Sequence, residues 1–284
     1  MSDAHGTHTQ GTGGHDVPTA RRACLVVPGS APEKLAKAAS RNADEVVIDL
    51  EDAVTPAAKD AARAAVVAAL SELDWNGVTV SVRVNAPGSP WCDADVAALG
   101  AAPGPLRSIV LPKVESADDV TSLARALEQA APASDRSRAP LGVQALVETA
   151  TGVARVYKIA AASPRLEALI VGYADLAASL GRTAAGAADL ALWDPIRETV
   201  LLAARAHGLQ AIDGPHLGLQ PDEAFRAAAR RACDQGYDGK WAIHPAQVGP
   251  LHELFTPDPA EVARARAVIA ALAAAERDAG QGAV

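Results

Sequence analysis

The chain has few of the residues that define several protein classes. Aromatic residues make up only 3% of its 284 residues, and its three cysteines (Cys24, Cys92 and Cys233) are an odd number without close spacing. Such a set predicts neither a disulfide framework nor a zinc site. No apolar run approaches the ~18 residues that a membrane-spanning helix needs. We therefore expect no membrane segment.

Clustered basic charge is also missing. The formal net charge is −8, which argues against a nucleic-acid surface, because such a surface needs grouped Lys and Arg. The first twenty residues are rich in Gly, Thr and His and lack the basic start and apolar stretch of a signal peptide. We predict a disordered tail over residues 1–20, one folded domain over residues 21–284, and a cytoplasmic location.

Short apolar runs alternate with Ala-rich helical segments along the folded region. Most of the runs are rich in Val and Ile, as buried parallel strands are. The eight runs are 23–28, 45–51, 79–85, 108–113, 142–148, 167–172, 210–214 and 240–244. Strict alternation of strand and helix predicts a (β/α)₈ TIM barrel with an extra C-terminal helix at 259–277. A doubly wound open sheet is the competing fold, but no G-x-G-x-x-G follows the first strand.

Helix boundaries are readable between several of these strands. Ser116 is a candidate N-cap, and Gly236 follows a helix end. The stretch 149–164, between the fifth and sixth strands, is predicted to be one helix.

Two acidic residues stand at the ends of neighbouring strands. Glu148 closes the fifth run, and Asp175 follows the sixth. Carboxylates delivered from adjacent strand ends would point into one cleft, where a hard divalent cation is the usual reason for pairing them. Without a cation, their repulsion in a dry site would leave one of them protonated. The alternative is that Glu148 caps the helix that follows it.

Other strands also end in polar side chains. In a barrel of this kind the active site lies at the carboxyl ends of the strands. The further polar residues at these ends are Asp49, Glu51, Asp52, Arg83, Asn85, Lys113, Asp213 and His244. Their coincidence across so many strands predicts a functional site there.

Ordered sequence blocks resemble one known family. The blocks include RRACLVVPGS, VVIDLEDAV, VRVNAPGS, LPKVESADDV, LVETATG, IVGYADLAASLG, AIDGP and GYDGKWAIHPAQ, and the likeness runs from Arg22 to Ala271. They are similar to the citrate lyase β-subunit-like family of acyl-CoA carbon–carbon lyases. The resemblance implies Mg²⁺, a homotrimer or hexamer, and cleavage of a citramalyl-, malyl- or methylmalyl-type 3-hydroxyacyl-CoA thioester into an acyl-CoA and a 2-oxo acid.

The resemblance also implies roles for individual residues. Glu148 and Asp175 would be the metal ligands. Arg83 would hold the 2-oxo oxygen or the developing enolate, since its planar fork stays charged; an ion pair with Glu51 is the alternative. Glu51 and Asp52 would lie near metal-bound waters, or serve only as acids at a helix entry.

Three further assignments remain open at this point. Arg22 would contact the CoA side of the site or pair with an acid. Lys113 would counter the acidic charge at the mouth, or act as the Schiff-base nucleophile of a class I aldolase. Backbone N–H groups around Gly172, Ala174 and Asp175 would receive the carboxylate of the oxo acid. Asp213 and His244 are expected to be structural partners.

Other functions stay open as well. The chain could be the β subunit of a multi-protein citrate lyase that takes citryl from an acyl-carrier protein. It could also be a CoA-independent class II aldolase, or a binding protein without turnover. No recognisable C-terminal lid motif surrounds Asp278, so no proton carrier is assigned, and thioester hydrolysis is disfavoured.

Overall fold

The computed structural model describes residues 19–75, 77–132 and 139–279. Residues 1–18 lie outside the described part of the chain, so the expected N-terminal tail stays a prediction. The division into a tail and one folded domain likewise stays a prediction.

Eight parallel strands close into a barrel, each paired with the next along the chain and the last with the first. The strands are β1 (Ala23–Pro28), β2 (Glu45–Asp49), β3 (Thr79–Arg83), β4 (Leu106–Leu111), β5 (Gly142–Val147), β6 (Leu166–Val171), β7 (Gln210–Asp213) and β8 (Gly239–Ala242). The predicted (β/α)₈ barrel is confirmed. Most strands end one or two residues earlier than predicted, because their last polar residues already belong to the loops.

Helices follow the strands and cover the outside of the barrel. Those in the described residues are α1 (Pro32–Ala38), α2 (Lys59–Glu72), α3 (Cys92–Gly100), α4 (Ala117–Ala130), α5 (Ala150–Ala154), α6 (Val156–Ala160), α7 (Tyr173–Ser179), α8 (Ala184–Ala188), α9 (Asp194–Ala206), α10 (Glu223–Gln235), α11 (Val248–Phe255) and α12 (Pro259–Ala279). Short 3₁₀ turns occupy Pro56–Ala58, Leu190–Trp193 and Pro245–Gln247. None of the helices in these ranges has the length and apolar character required to cross a membrane.

The apolar core has two parts, separated by the wall of the barrel. Successive strand residues point to opposite faces of a sheet, so each strand supplies both parts. Val47, Val110, Leu146 and Ile170 belong to the cluster inside the barrel. The alternate positions pack outward against the helices, as Ile48 does.

A buried polar cluster occupies the barrel interior near the amino ends of the strands. The carboxylate of Glu45 accepts hydrogen bonds from Arg21 Nε at 3.2 Å, from Gln144 Nε2 at 2.7 Å and from the Ser81 hydroxyl. All four side chains are buried. Because this end is filled, the opposite, carboxyl end is where the interior opens to a ligand.

Two helix boundaries predicted from the sequence are confirmed, and one predicted helix is wrong. Ser116 forms a capping box with Asp119, and Gly236 ends α10 with φ 101°. The single helix predicted over 149–164 is wrong, since Arg155 (φ −111°, ψ 8°) separates α5 from α6. Gly152 lies so close to the Val114 carbonyl that a Cβ atom would be 2.4 Å from it. This contact fixes α5 against the loop after β4, independently of α6.

Replacing Ser116 with Ala should reduce the free energy of unfolding by about 1 kcal/mol, because the α4 capping box is lost. Urea titration followed by circular dichroism would measure this. Ser122→Ala is the control, since Ser122 is an exposed residue within the same helix. Equal stability of the two variants would contradict the capping role.

Candidate active site

Side-chain alternation brings three charged residues into the barrel mouth. Asp49 lies two positions after the inward-facing Val47, and it pairs in register with Arg83 of β3. Glu148 lies two positions after the inward-facing Leu146. All three are buried at the carboxyl ends of their strands. The mouth therefore presents carboxylates and a guanidinium to the same space.

Asp49 is the main partner of Arg83. Its two carboxylate oxygens accept hydrogen bonds from Arg83 Nε at 2.7 Å and Nη2 at 2.6 Å. They also accept the backbone N–H groups of Glu51 and Ala53, at 2.8 and 3.0 Å. Asp49 thus fixes both the guanidinium plane and the loop that follows β2.

The third nitrogen of the guanidinium faces the expected acids. Arg83 Nη1 lies 3.1 Å from Glu51 Oε2 and 3.4 Å from Asp52 Oδ2. The ion pair with Glu51 that the sequence left as an alternative therefore forms. The sequence analysis placed Asp49 among the polar strand ends but assigned it no individual role. Its position two residues after Val47 is a signal that it points into the barrel, whereas its alignment with Arg83 is visible only in the structure.

Lys113 contacts acidic residues that follow three different strands. Its ammonium lies 2.7 Å from Glu51 Oε1 and 2.8 Å from Asp175 Oδ2, and its backbone N–H donates to Glu148 Oε1 at 2.9 Å. The residue has φ 52°, which is unusual for any residue but glycine. Its contacts place a single positive charge among the three carboxylates.

Glu148 is the most strongly perturbed of these acids. Its burial, with the nearby charge of Glu51, raises its pKa to about 8, and Lys113 and Arg83 offset only part of this. Gly172 allows the position, since a Cβ atom there would lie 2.5 Å from Glu148 Oε2. Burial likewise raises the pKa of Glu51.

The chemistry of these donors fits a hard cation. Within the described ranges, no group of three or more His, Cys, Asp or Glu side chains forms a complete metal cage. Two carboxylates suffice for Mg²⁺, which completes its octahedron with water and substrate oxygens. Asp175 Oδ2 is buried and lies 2.8 Å from the Lys113 ammonium, so this oxygen already faces a positive charge. A cation is therefore favoured between Glu148 and Asp175.

The predicted backbone anion site is partly wrong. Gly172 donates its N–H to the Val147 carbonyl at 3.0 Å, so this group is already used within the barrel wall. Ala174 and Asp175 lie in the first turn of α7, where N–H groups have no intrahelical acceptor. For Ala174 and Asp175, binding of an oxo acid by the backbone N–H groups stays a prediction.

Arg22 lies at the other end of the barrel. It precedes β1, where its Nε donates to Asp44 Oδ2 at 2.9 Å and its Nη1 donates to Thr256 Oγ1 at 2.7 Å. Its assignment to the CoA side is corrected, because the mouth lies beyond the carboxyl end of β1. Arg22 instead pairs with an acid, Asp44, which was the alternative left open by the sequence.

The remaining polar strand ends have structural contacts. Asn85 donates its side-chain amide to Asp95 at 2.6 Å, and His244 caps the 3₁₀ turn that follows it. Asp213 accepts a hydrogen bond from Lys240 Nζ at 2.5 Å. These three residues do not join the group at the mouth.

The fold and site therefore define a parallel barrel with an acidic, cation-accepting mouth. A family model described as HpcH/HpaI aldolase/citrate lyase matches residues 22–245. The chain belongs to this family.

Individual relatives cover most of the chain. An L-malyl-CoA/beta-methylmalyl-CoA lyase of Cereibacter sphaeroides is 39% identical over 271 residues, covering 90% of this chain and 85% of that protein. A (3S)-malyl-CoA thioesterase of the same species is 37% identical over 266 residues, covering 92% and 86%.

Solved structures from Mycobacterium tuberculosis share the fold. A citrate lyase beta subunit complexed with oxaloacetate and magnesium aligns with a TM-score of 0.70 and 35% identity, covering 84% of this chain and 98% of that chain. The protein CitE complexed with magnesium, acetoacetate and coenzyme A aligns with a TM-score of 0.72 and 36% identity, covering 90% and 88%. The family expected from the sequence blocks is confirmed.

Replacing Lys113 with Met should destabilise the metal-free protein by about 1–2 kcal/mol, because Glu51 and Asp175 lose their shared cation. Urea unfolding in EDTA would measure the loss. Lys158→Met, at an exposed position of α6, is the control for removing a lysine charge. A Lys113→Met protein as stable as this control would show that the mouth tolerates its acids without the ammonium.

Proposed function

We propose that the protein is a Mg²⁺-dependent carbon–carbon lyase that cleaves a malyl-, methylmalyl- or citramalyl-type 3-hydroxyacyl-CoA into an acyl-CoA and a 2-oxo acid. The observation that carries this is that Glu148 and Asp175 both contact Lys113, Glu148 at its backbone N–H and Asp175 at its ammonium, beside a buried arginine. The lyase names of the relatives and the magnesium complexes of the structural neighbours support the same activity.

Glu148 and Asp175 would hold the metal. A divalent cation at these carboxylates supplies Lewis-acid polarisation of the substrate's hydroxyl and carboxylate oxygens. Asp175 lies 2.8 Å from the Lys113 ammonium, so this carboxylate already stabilises a positive charge. Glu51 and Asp52 lie on the Arg83 side of the mouth, where they would orient water and the guanidinium.

Arg83 would stabilise the charge that develops as the bond breaks. Loss of the hydroxyl proton forms the carbonyl of the 2-oxo acid, and the electron pair of the broken C–C bond moves to the thioester as an enolate. Protonation of the enolate carbon then gives the acyl-CoA. Asp49 holds Arg83 through two hydrogen bonds, so the guanidinium is positioned before the substrate arrives, and little reorganisation is needed.

The Schiff-base alternative is disfavoured by the surroundings of Lys113. A nucleophilic amine must lose its proton, whereas the hydrogen bonds from Lys113 to Asp175 and Glu51 raise the pKa of its ammonium. Lys113 is better suited to balance the carboxylates. The homotrimer or hexamer, and action on a citryl-carrier protein, remain predictions from the resemblance.

Glu148→Gln and Asp175→Asn should each abolish magnesium-dependent release of acetyl-CoA from malyl-CoA, because each removes a charged metal ligand. Chromatography of the acyl-CoA products with and without EDTA would measure this. Glu115→Gln is the matched control, an exposed carboxylate two residues after Lys113, and it should retain activity.

Three outcomes would contradict the proposed reaction. Full activity after exhaustive chelation would exclude the metal requirement. Release of free CoA and malate without glyoxylate would identify thioester hydrolysis instead of C–C cleavage. Borohydride trapping of a substrate on Lys113 would favour the Schiff-base route.

Replacing Arg83 with Lys should lower kcat by about 10²–10³, because the two-pronged contact with Asp49 and the fixed donors toward the enolate are lost. Steady-state kinetics with malyl-CoA as the substrate would measure this. Arg63→Lys changes an arginine that also pairs with a buried aspartate, Asp95, but outside the mouth. Equal kcat values for the two variants would remove Arg83 from the mechanism.

A further inference from the structure

A buried lysine holds the loop that carries two of the acids at the mouth. Lys59 is the first residue of α2, and it is only 6% exposed. Its ammonium donates hydrogen bonds to the Leu50 carbonyl at 2.8 Å and to the Glu51 carbonyl at 2.7 Å. The ring of Trp91 lies 5.4 Å from the same ammonium and adds a cation–π contact. The proposed function gives Lys59 no role.

The position of Lys59 is unfavourable for the stability of the fold. A positive charge in the first turn of a helix faces the positive end of the helix dipole. Burial lowers the pKa of the Lys59 ammonium, and the nearby charges of Asp49 and Glu51 offset only part of this. Departures from the rules of stable folds are expected at functional sites. A buried lysine at a helix start, beside the mouth, is such a departure.

The hydrogen bonds of Lys59 complete the support of the loop after β2. The Leu50 N–H donates to the Arg83 carbonyl at 2.9 Å, and the Glu51 N–H donates to Asp49 Oδ1 at 2.8 Å. Lys59 binds the carbonyl groups of the same two residues. The backbone of Leu50 and Glu51 is therefore fixed at both its donors and its acceptors.

This fixed backbone places the Glu51 carboxylate between two cations. Its Oε1 lies 2.7 Å from the Lys113 ammonium, and its Oε2 lies 3.1 Å from Arg83 Nη1. A movement of the loop would carry the carboxylate away from both partners. Arg83 would then lose one of the contacts that orient its guanidinium.

We propose that Lys59 is a positioning residue of the lyase site, which holds the Leu50 and Glu51 carbonyls and thereby keeps the Glu51 carboxylate on Arg83. A guanidinium that is already oriented needs little reorganisation when charge develops on the substrate. The effect on catalysis rests on the proposed lyase function, whereas the hold on the loop does not. The two parts are therefore tested separately.

Hydrogen exchange of the protein in EDTA, followed by NMR, tests the hold on the loop. In Lys59→Met, exchange at the N–H groups of Glu51 and Ala53 should accelerate about tenfold, because the loop opens more often without the charged donor. Both groups donate to Asp49. Leu70→Ala is the matched control, since Leu70 is buried near the other end of the same helix. Its truncation destabilises α2 and should not single out the loop.

Steady-state kinetics with malyl-CoA and Mg²⁺ test the effect on the reaction. The kcat of Lys59→Met, per folded molecule, should fall about 10–100-fold. Its KM should change by less than about twofold, because Arg83 would act on charge that develops only in the transition state. Leu70→Ala should keep the parent kcat per folded molecule. Lys59→Arg should recover part of the loss, since it retains a charged donor for the carbonyls.

Lys59→Gln decides the question if Lys59→Met does not fold. Its amide is polar, but it carries no charge, and its stem is too short to reach both carbonyls. It should therefore show the same local acceleration of exchange and the same fall in kcat.

Two results would overturn the inference. Unchanged exchange at Glu51 and Ala53 in folded Lys59→Met or Lys59→Gln would show that the loop is held without the lysine. A kcat per folded molecule equal to that of Leu70→Ala would show that Lys59 only stabilises the fold. Absence of lyase activity in the parent protein would contradict the proposed function instead, and hydrogen exchange alone would then decide whether Lys59 positions Glu51.

Discussion

The two-residue alternation of side chains in a closed parallel barrel is the constraint on which the rest of this structure depends. A position's parity within its strand decides whether its side chain enters the barrel or packs under the helices. Asp49 and Arg83 share the inward parity, so they meet at the mouth. Lys240 and Asp213 have the outward parity and pair outside the wall. Charged residues at the same end of the barrel therefore fall into two separate groups.

The mouth has more acidic than basic groups. Five acids, Asp49, Glu51, Asp52, Glu148 and Asp175, lie near three basic residues in the described part of the chain, Arg83, Lys113 and Lys59. Burial prevents water from screening this excess, which is why the pKa of Glu148 rises to about 8. A fixed arginine and a fixed lysine lower the repulsion without abolishing it. The remaining negative charge is what would make the binding of a divalent cation favourable under the proposed function, in which Arg83 would contact the anionic part of a substrate.

Much of the architecture is predictable from local sequence, because strand runs and helix caps depend on near neighbours. The eight apolar runs and the capping box at Ser116 are of this kind. The break at Arg155 is not, and neither is the close approach of Gly152, three residues before it, to a carbonyl on another loop. The role of Asp49 also escaped prediction, and the sequence left Arg22 open between a contact with CoA and a pair with an acid. Asp49 required the register between two strands, and Arg22 required knowing which end of the barrel its side chain reaches.

The two charged groups differ in sign, and this difference has one physical consequence. At the mouth, carboxylates outnumber the basic groups that contact them. Outside the wall, the Lys240–Asp213 pair is balanced and the buried Arg197 of α9 adds a positive charge. Each imbalance lies in a buried setting, where an uncompensated charge costs several times more than it would in water. The wall formed by β6, β7 and β8 keeps the two imbalances apart, so neither neutralises the other.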